Sequence, residues 1–264
     1  ADYNTAVGST AGDAITSGTQ NTACGFGSLG ATDDGGYNVA VGVNTLNANC
    51  ADANTGVGIH ALNAFTGSAA TVVGAYAADV AVGQLGLTAV GHNALGVSTS
   101  GNYNTAVGSI SLQTVDGGNN TAVGYAALAA DCVADNTAVG KNALAAFTGS
   151  NATAVGKGAA DAAVGNANIT AIGFNALGSA TSGGNNTAVG AQCLDGTING
   201  VNNTAVGQGS LSVDCADDNV AVGTSALNAF TGSNAVAVGS GAADAATSAG
   251  YLTAVGTNSL TELT

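Results

Sequence analysis

Apolar and polar residues alternate over short stretches that return every 16 or 17 residues along the whole chain. Each stretch is a variant of Asn-Thr-Ala-Val-Gly, and sixteen glycines close the series: Gly8, Gly25, Gly42, Gly58, Gly74, Gly91, Gly108, Gly124, Gly140, Gly156, Gly173, Gly190, Gly207, Gly223, Gly239 and Gly256. Aligned on the glycine, the residue before it is Val in fourteen repeats, with Cys24 and Ile172 as exceptions. Two before it stands Ala in fourteen, with Gly56 and Val72 as exceptions. Three before it stands Thr in thirteen and Val in three, and four before it Asn in ten. Period-two alternation in a β-prone stretch predicts a strand with two faces. Val and the Thr/Val column share one face, and Ala and Asn share the other. The Val face is expected inward, because a larger apolar side chain gains more from burial, about 25 cal/mol per Å².

Four residues after the glycine comes Leu in twelve repeats, which supplies an opposing wall, also expected inward. Glycine permits the reversal between the two walls, since it reaches positive φ without a Cβ penalty. Each repeat therefore reads as two short strands and two turns. So strict and short a period signals a quasi-one-dimensional coil. The expected fold is all-β: a parallel β-solenoid, flattened into a two-sheet β-roll, of about 16 coils of 16–17 residues, one continuous domain over residues 1–264 without distinct caps. The second turn is rich in Asn, Asp, Ser, Thr and Gly, which tolerate left-handed backbone and bond their own main chain. Asn or Thr ladders are expected to hydrogen-bond along the stacking direction.

A longer period lies over the short one. "AFTGS" recurs at 64–68, 146–150 and 229–233, a spacing of 82 or 83 residues, or five coils. Phe65, Phe147 and Phe230 are candidates for a surface row repeating about every 24 Å, from five coils at ~4.8 Å each, or for packing under a loop.

Only 7% of residues are charged, and Lys141 and Lys157 are the sole cations against sixteen acids, a net charge of −14. That balance excludes phosphate neutralisation and hence nucleic-acid binding. No apolar run reaches the ~20 residues of a membrane helix, so membrane insertion is not expected. The start at Ala1-Asp2 reads as a processed mature form or a fragment, and secretion is expected. Cys50, Cys132 and Cys215 hold equivalent positions too far apart to bridge one another, which leaves small apolar fillers or disulfides to a neighbouring chain. No two of the five cysteines sit at metal-ligand spacing. His60 and His92 fall within two residues of Gly58 and Gly91 with no partner pattern, and read as surface residues. Asp33-Asp34 and Asp217-Asp218 offer turn carboxylates that suit Ca²⁺, although the Asp motif of calcium-binding β-rolls is missing; no other cofactor is expected. Asn-x-Thr acceptors for glycosylation occur at Asn151 and Asn202, in a chain where chance matches abound. No nucleophile elbow, triad or carboxylate cluster stands out, so an enzyme is not expected.

The run Asn-Thr-Ala-Val-Gly-x-x-Ala-Leu, as at Asn120–Gly124 and Asn136–Gly140, resembles the head repeats of YadA-type trimeric autotransporter adhesins and related repeats of phage tail fibres. That resemblance implies left-handed parallel β-rolls that trimerise and bind host matrix or surface receptors. The coils here are longer, and no neck, stalk or anchor is expected within these 264 residues. The distance from Gly256 to the Gly8 of a following copy would equal 16 residues, the internal period, so head-to-tail stacking into a fibre is expected. Flat, nearly uncharged outer faces suit lateral packing. The expected function is a structural subunit of an extracellular fibre or appendage, or of a virion fibre, self-assembling and adhesive. The alternative is an ice-binding β-solenoid; against it stand the expected inward placing of the single Thr column and the lack of a Thr-x-Thr pair that recurs across the coils.

Overall fold

The structure is a computed structural model that describes residues 2–165, 167–248 and 250–261. It is all-β, with two compact units, residues 1–135 and 136–264. In the first unit eight three-residue strands pair in parallel and in chain order: Thr5–Val7, Thr22–Cys24, Val39–Val41, Thr55–Val57, Thr71–Val73, Thr88–Val90, Thr105–Val107 and Thr121–Val123. In the second, Thr137–Val139, Thr153–Val155, Thr170–Ile172, Thr187–Val189, Thr204–Val206, Val220–Val222, Val236–Val238 and Thr253–Val255 do the same. Each rung sets a residue against its equivalent one repeat on, as Thr153 against Thr170, Ala154 against Ala171 and Val155 against Ile172. Each unit is thus a parallel β-solenoid with one coil per repeat. Residue 1 and residues 262–264, on which the expectation of head-to-tail stacking leans, lie outside the described residues.

The facing of the strand is the reverse of the sequence expectation. The Ala column lines the interior: Ala106, Ala138, Ala171 and Ala188 are fully buried. The Val column faces out: most of its members lie near Val107 at 36% and Val73 at 40% exposed, with Val7 at 62% and Val255 at 70% in the first and last strands, and the Thr column is half-buried or exposed beside it. The Asn column is interior as well: Asn54, Asn104, Asn136, Asn203 and Asn219 have no exposed surface. Leu46, Leu95, Leu144 and Leu227 are buried, as expected of the opposing wall.

Room decides the facing. The leucines already fill the space between the walls, so a methyl group is what fits on the strand side; Val72, fully buried in the same column, stands in a repeat whose Leu position is held by Ala78. Gly56 shows how little is left. A Cβ there would lie 2.8 Å from Thr45 Cγ2 and 3.5 Å from Leu46 Cγ. The gain from burying valine cannot be collected in a space valine does not fit, and β-branched side chains are well accommodated on the outer pleated surface.

Thr45 and Gly56 form a volume-compensating pair. Thr45 stands where most repeats have Ala or Ser, its hydroxyl donates to the Gly58 carbonyl at 2.5 Å, and its methyl fills the place of the missing Gly56 Cβ. Gly56→Ala is expected to cost about 1–3 kcal/mol by overpacking. In a Thr45→Ser background the same change should be nearly free. Urea unfolding of the two single variants and the double variant measures the coupling, and additive costs would refute the compensation.

The opposing wall is not an extended strand. After each turn glycine the second and fourth residues are left-handed, as Asn44 (φ 51°) and Leu46 (φ 50°). Asn44 N donates back one coil to Phe26 O at 2.8 Å, and Leu46 N donates forward to Ala61 O at 3.0 Å. Alternating hands keep the arm narrow while its amides reach both neighbours. A two-residue parallel pair, Val97–Ser98 with Thr114–Val115, is the one place among the described residues where this side forms strands.

The Asn column works as a ladder. Asn38 N donates to Asn21 Oδ1 at 2.9 Å and Asn54 N to Asn38 Oδ1 at 2.9 Å, while Asn54 Nδ2 reaches the Gly67 carbonyl at 3.1 Å. In the second unit Asn186, Asn203 and Asn219 repeat the pattern. The carboxamides satisfy main-chain groups where the strand begins, which compensates their burial; Asn38 Nδ2 is an exception, buried without a partner. The ladder stops where the five-coil period brings apolar residues into its place: Ala70 and Leu87, Ala152 and Ile169, Ala235 and Leu252.

Candidate functional site

Phe65, Phe147 and Phe230 do not form a surface row. All three rings are fully buried. They fill the interior of the second turn just where the Asn ladder is interrupted, and the turn glycine closes over them: a Cβ on Gly67 would lie 2.7 Å from Phe65 Cζ, and one on Gly232 2.8 Å from Phe230 Cζ. An aromatic ring needs a wide, apolar cross-section, and the "FTG" turn provides it. Their five-coil spacing is a periodicity of the core.

Cys50, Cys132, Cys193 and Cys215 are buried, Cys24 is exposed, and none of the five forms a disulfide. Burial pushes the thiols of Cys50, Cys193 and Cys215 above their ordinary range, and Cys50 and Cys215 lie 3.3 Å from the hydroxyls of Thr32 and Thr197. They are core fillers in a polar niche, chemically quiet. The acidic turns are occupied by contacts between coils: Asp33 accepts a hydrogen bond from the Thr16 hydroxyl, Asp217 from Val201 N at 2.9 Å, and Asp218 from Asn202 Nδ2 at 3.0 Å. Among the described residues no group of three or more His, Cys, Asp or Glu is placed to hold a metal ion.

His60 and His92 do have a partner. His60 stacks on Tyr76 with ring centroids 5.3 Å apart, and Tyr76 meets His92 edge-on at 6.2 Å. These rings stand in consecutive coils just after the turn glycine, a neighbourhood visible in the aligned repeats only if the columns on either side of a residue are read together. Asp79, Asp161 and Asp195 have carboxyls raised from the ordinary range, chiefly by burial; the charge of Asp161 adds to the effect on Asp195, and that of His60 opposes it on Asp79. A raised folded-state value favours the protonated form, so this contribution to stability is complete below the unfolded-state value near pH 4 and is lost as the pH rises through the folded one. Asp195→Asn is accordingly expected to raise the unfolding midpoint at pH 7 and to leave it unchanged near pH 3. An equal effect at both values would refute the cause.

The hollows on the surface are shallow. One of about 400 Å³ lies between Asn199, Asp214, Asp217 and Thr231, another of about 420 Å³ between Gln192, Asp195, Gln208 and Asn228. Cys215 also lines the first, its thiol 3.3 Å from the Thr197 hydroxyl. No helix of the described residues is long and apolar enough to cross a membrane.

What the fold does present is a flat face. Thr and Val stand side by side on eleven of the sixteen strands, in register from rung to rung within each unit. Most of the Val column is exposed to a similar degree, which marks a level surface within each unit, with no charged residue in either column. Among the described residues, none of the thirteen Thr hydroxyls in that column makes a hydrogen bond to protein. The residue following the glycine borders the Val edge; Phe26, Val43 and Ile59 are exposed there in consecutive coils, and so are Lys141 and Lys157. Lys157 Nζ lies 5.5 Å from the centre of the Phe174 ring. The residue five before the glycine borders the Thr edge, with Asn168, Asn185, Asn202 and Asp218 linked side chain to side chain at 3.0–3.2 Å. The sequence reading had placed this Thr/Val face in the core and so missed it as a site.

No protein-family model matches the chain, and no curated protein sequence matches it.

Proposed function

We propose that the chain is a structural subunit that packs against copies of itself through the flat Thr/Val face, within an extracellular fibre, surface appendage or virion fibre. One observation carries the reading: an uncharged array of β-branched side chains stands outward on a frame whose coils are joined to one another by main-chain hydrogen bonds. Contiguous apolar surface of this extent on a water-soluble frame is a contact surface by default, and two such faces stack as sheets about 10 Å apart. The likeness of the repeats to adhesin heads and tail fibres points the same way, and adhesion to a host surface would use the same face or its borders.

Val206→Lys with Val222→Lys tests this. Both side chains point to solvent, so the circular dichroism spectrum and the melting temperature should stay close to those of the wild type. Association, measured by sedimentation velocity, should weaken by about tenfold or more, because a dry contact would bury unpaired charge. A wild-type chain that sediments as a monomer at every concentration would end this reading.

A second reading is supported by the facing of the threonines. Ice binding needs a rigid, level array of hydroxyls and methyls open to water, and the objection drawn from the sequence, an inward Thr column, does not hold. A monomeric chain with thermal hysteresis that Thr187→Lys abolishes would establish this alternative.

A further inference from the structure

A repetitive face has a register problem: slipping one copy past another by one coil restores almost every Thr and Val contact. We infer that Lys141 sets the register of the proposed self-association by pairing with Asp135 of a second copy. The inference rests on the self-packing reading above. Lys141 and Lys157 are the only cations of a chain carrying sixteen acids, and both stand exposed in the row bordering the Val edge of the face. The row bordering the Thr edge holds two acids, Asp135 and Asp218, both exposed and left-handed (φ 64° and 61°). Asp135 and Lys141 therefore flank the same strand, Thr137–Val139, two residues before it and two after it.

Two faces can stack about a twofold axis that runs along the stacking direction of the coils. That axis reverses the strands, so the Val edge of each copy lies along the Thr edge of the other. In register, Lys141 of each copy meets Asp135 of its partner, and twofold symmetry makes two such pairs. A slip of one coil leaves a single pair, Lys157 with Asp135. Slips that bring either lysine to Asp218 leave a single pair as well, and all others leave none. The alternative axis, along the strands, sets lysine row against lysine row and leaves Asp135 without a cation. Charges at the rim of an interface add little affinity and much selectivity, which is the task a featureless face requires.

The test uses the full chain with Cys24→Ser, so that no native thiol is exposed. Asp135→Cys and Lys141→Cys variants, each alone and then mixed, are oxidised at low ionic strength. A disulfide-linked heterodimer in the mixture, with little homodimer from either variant alone, is expected. Homodimers of equal yield, or no heterodimer from chains that still associate, would overturn the register and leave the self-packing reading standing. In parallel, Lys141→Glu should weaken association about tenfold at low salt, and Lys141→Glu with Asp135→Lys should restore it. Association unmoved by the charge reversal sinks the inference alone. A wild type that never associates sinks both.

Discussion

Asn203→Asp is expected to cost about 3–5 kcal/mol of stability at pH 7, the scale of an uncompensated buried charge, although it replaces a single NH₂ by an oxygen. Asn203 has no exposed surface. Its main-chain N donates to Asn186 Oδ1 at 2.8 Å, its Nδ2 donates to the Ala216 carbonyl at 2.9 Å, and its Oδ1 accepts from Asn219 N at 3.0 Å. A carboxylate keeps the last contact and turns the second into repulsion between two acceptors, in an interior with no cation to offset the charge. The pH dependence has a definite sign. The new carboxyl would be raised above its unfolded value near 4, so the deficit should be smallest below that pH and grow as the pH rises, by about 1.4 kcal/mol per unit until the folded value is passed. Asn203→Leu separates the charge from the lost bonds: it leaves the Asn219 amide unpaired, at about 1–3 kcal/mol, while the Ala216 carbonyl keeps its bond from Asn219 Nδ2 at 3.2 Å, with no pH dependence over that range. Urea unfolding at pH 4 and pH 7 checks both, and an Asn203→Asp variant as stable as the wild type at pH 7 would refute the ladder as a source of stability.

The fold was legible because a sixteen- or seventeen-residue period with glycine in a fixed place admits few architectures. The facing of the strand was not, and Ala138, Val139 and Asn136 show why. Transfer energy ranks Val139 above Ala138 for burial, and polarity ranks Asn136 last, yet Ala138 and Asn136 are buried and Val139 is 37% exposed. Transfer energies assume that space is available, and the gap behind the strand is set by Leu144 and its equivalents. The repeats did carry a hint: the Ala column departs from alanine only at Gly56 and Val72, whereas the Thr column exchanges freely with Val at Val39, Val220 and Val236. A column that stays small is a column under steric limit; one that exchanges a hydroxyl for a methyl faces water. The burial of asparagine follows from its partners one coil away, which a single repeat does not display. The same inversion moved the candidate site. Once Thr and Val face out, the contact surface is the strand face itself, while Phe65, Phe147 and Phe230 withdraw into the core.

Gly173→Ala is expected to be the most disruptive single-methyl change of those considered, costing about 4 kcal/mol or more, in the range reserved for backbone strain and steric overlap together. Two causes coincide at this turn. Gly173 has φ 139°, a conformation that side-chain-bearing residues rarely adopt. An added Cβ would also lie 2.4 Å from the Gly190 carbonyl oxygen and 2.6 Å from its carbon. The obstacle is main chain of the next coil, so no rotamer change relieves it. The coil must move away from its neighbour, and the contacts at risk are the hydrogen bonds Gly173 N to Val155 O and Gly190 N to Ile172 O, both 2.8 Å. The same positive φ recurs at the other turn glycines, from 124° at Gly256 to 148° at Gly74, and the close approach recurs wherever a further coil is stacked on the turn, as at Gly156 and Gly190. Gly250→Ala is the control: nothing lies within 4 Å of its added Cβ, and its cost should stay within about 0.5 kcal/mol. If urea unfolding finds the two variants alike, close stacking at the glycine turn is not what holds the coils in register, and the account of the fold given by that turn fails with it.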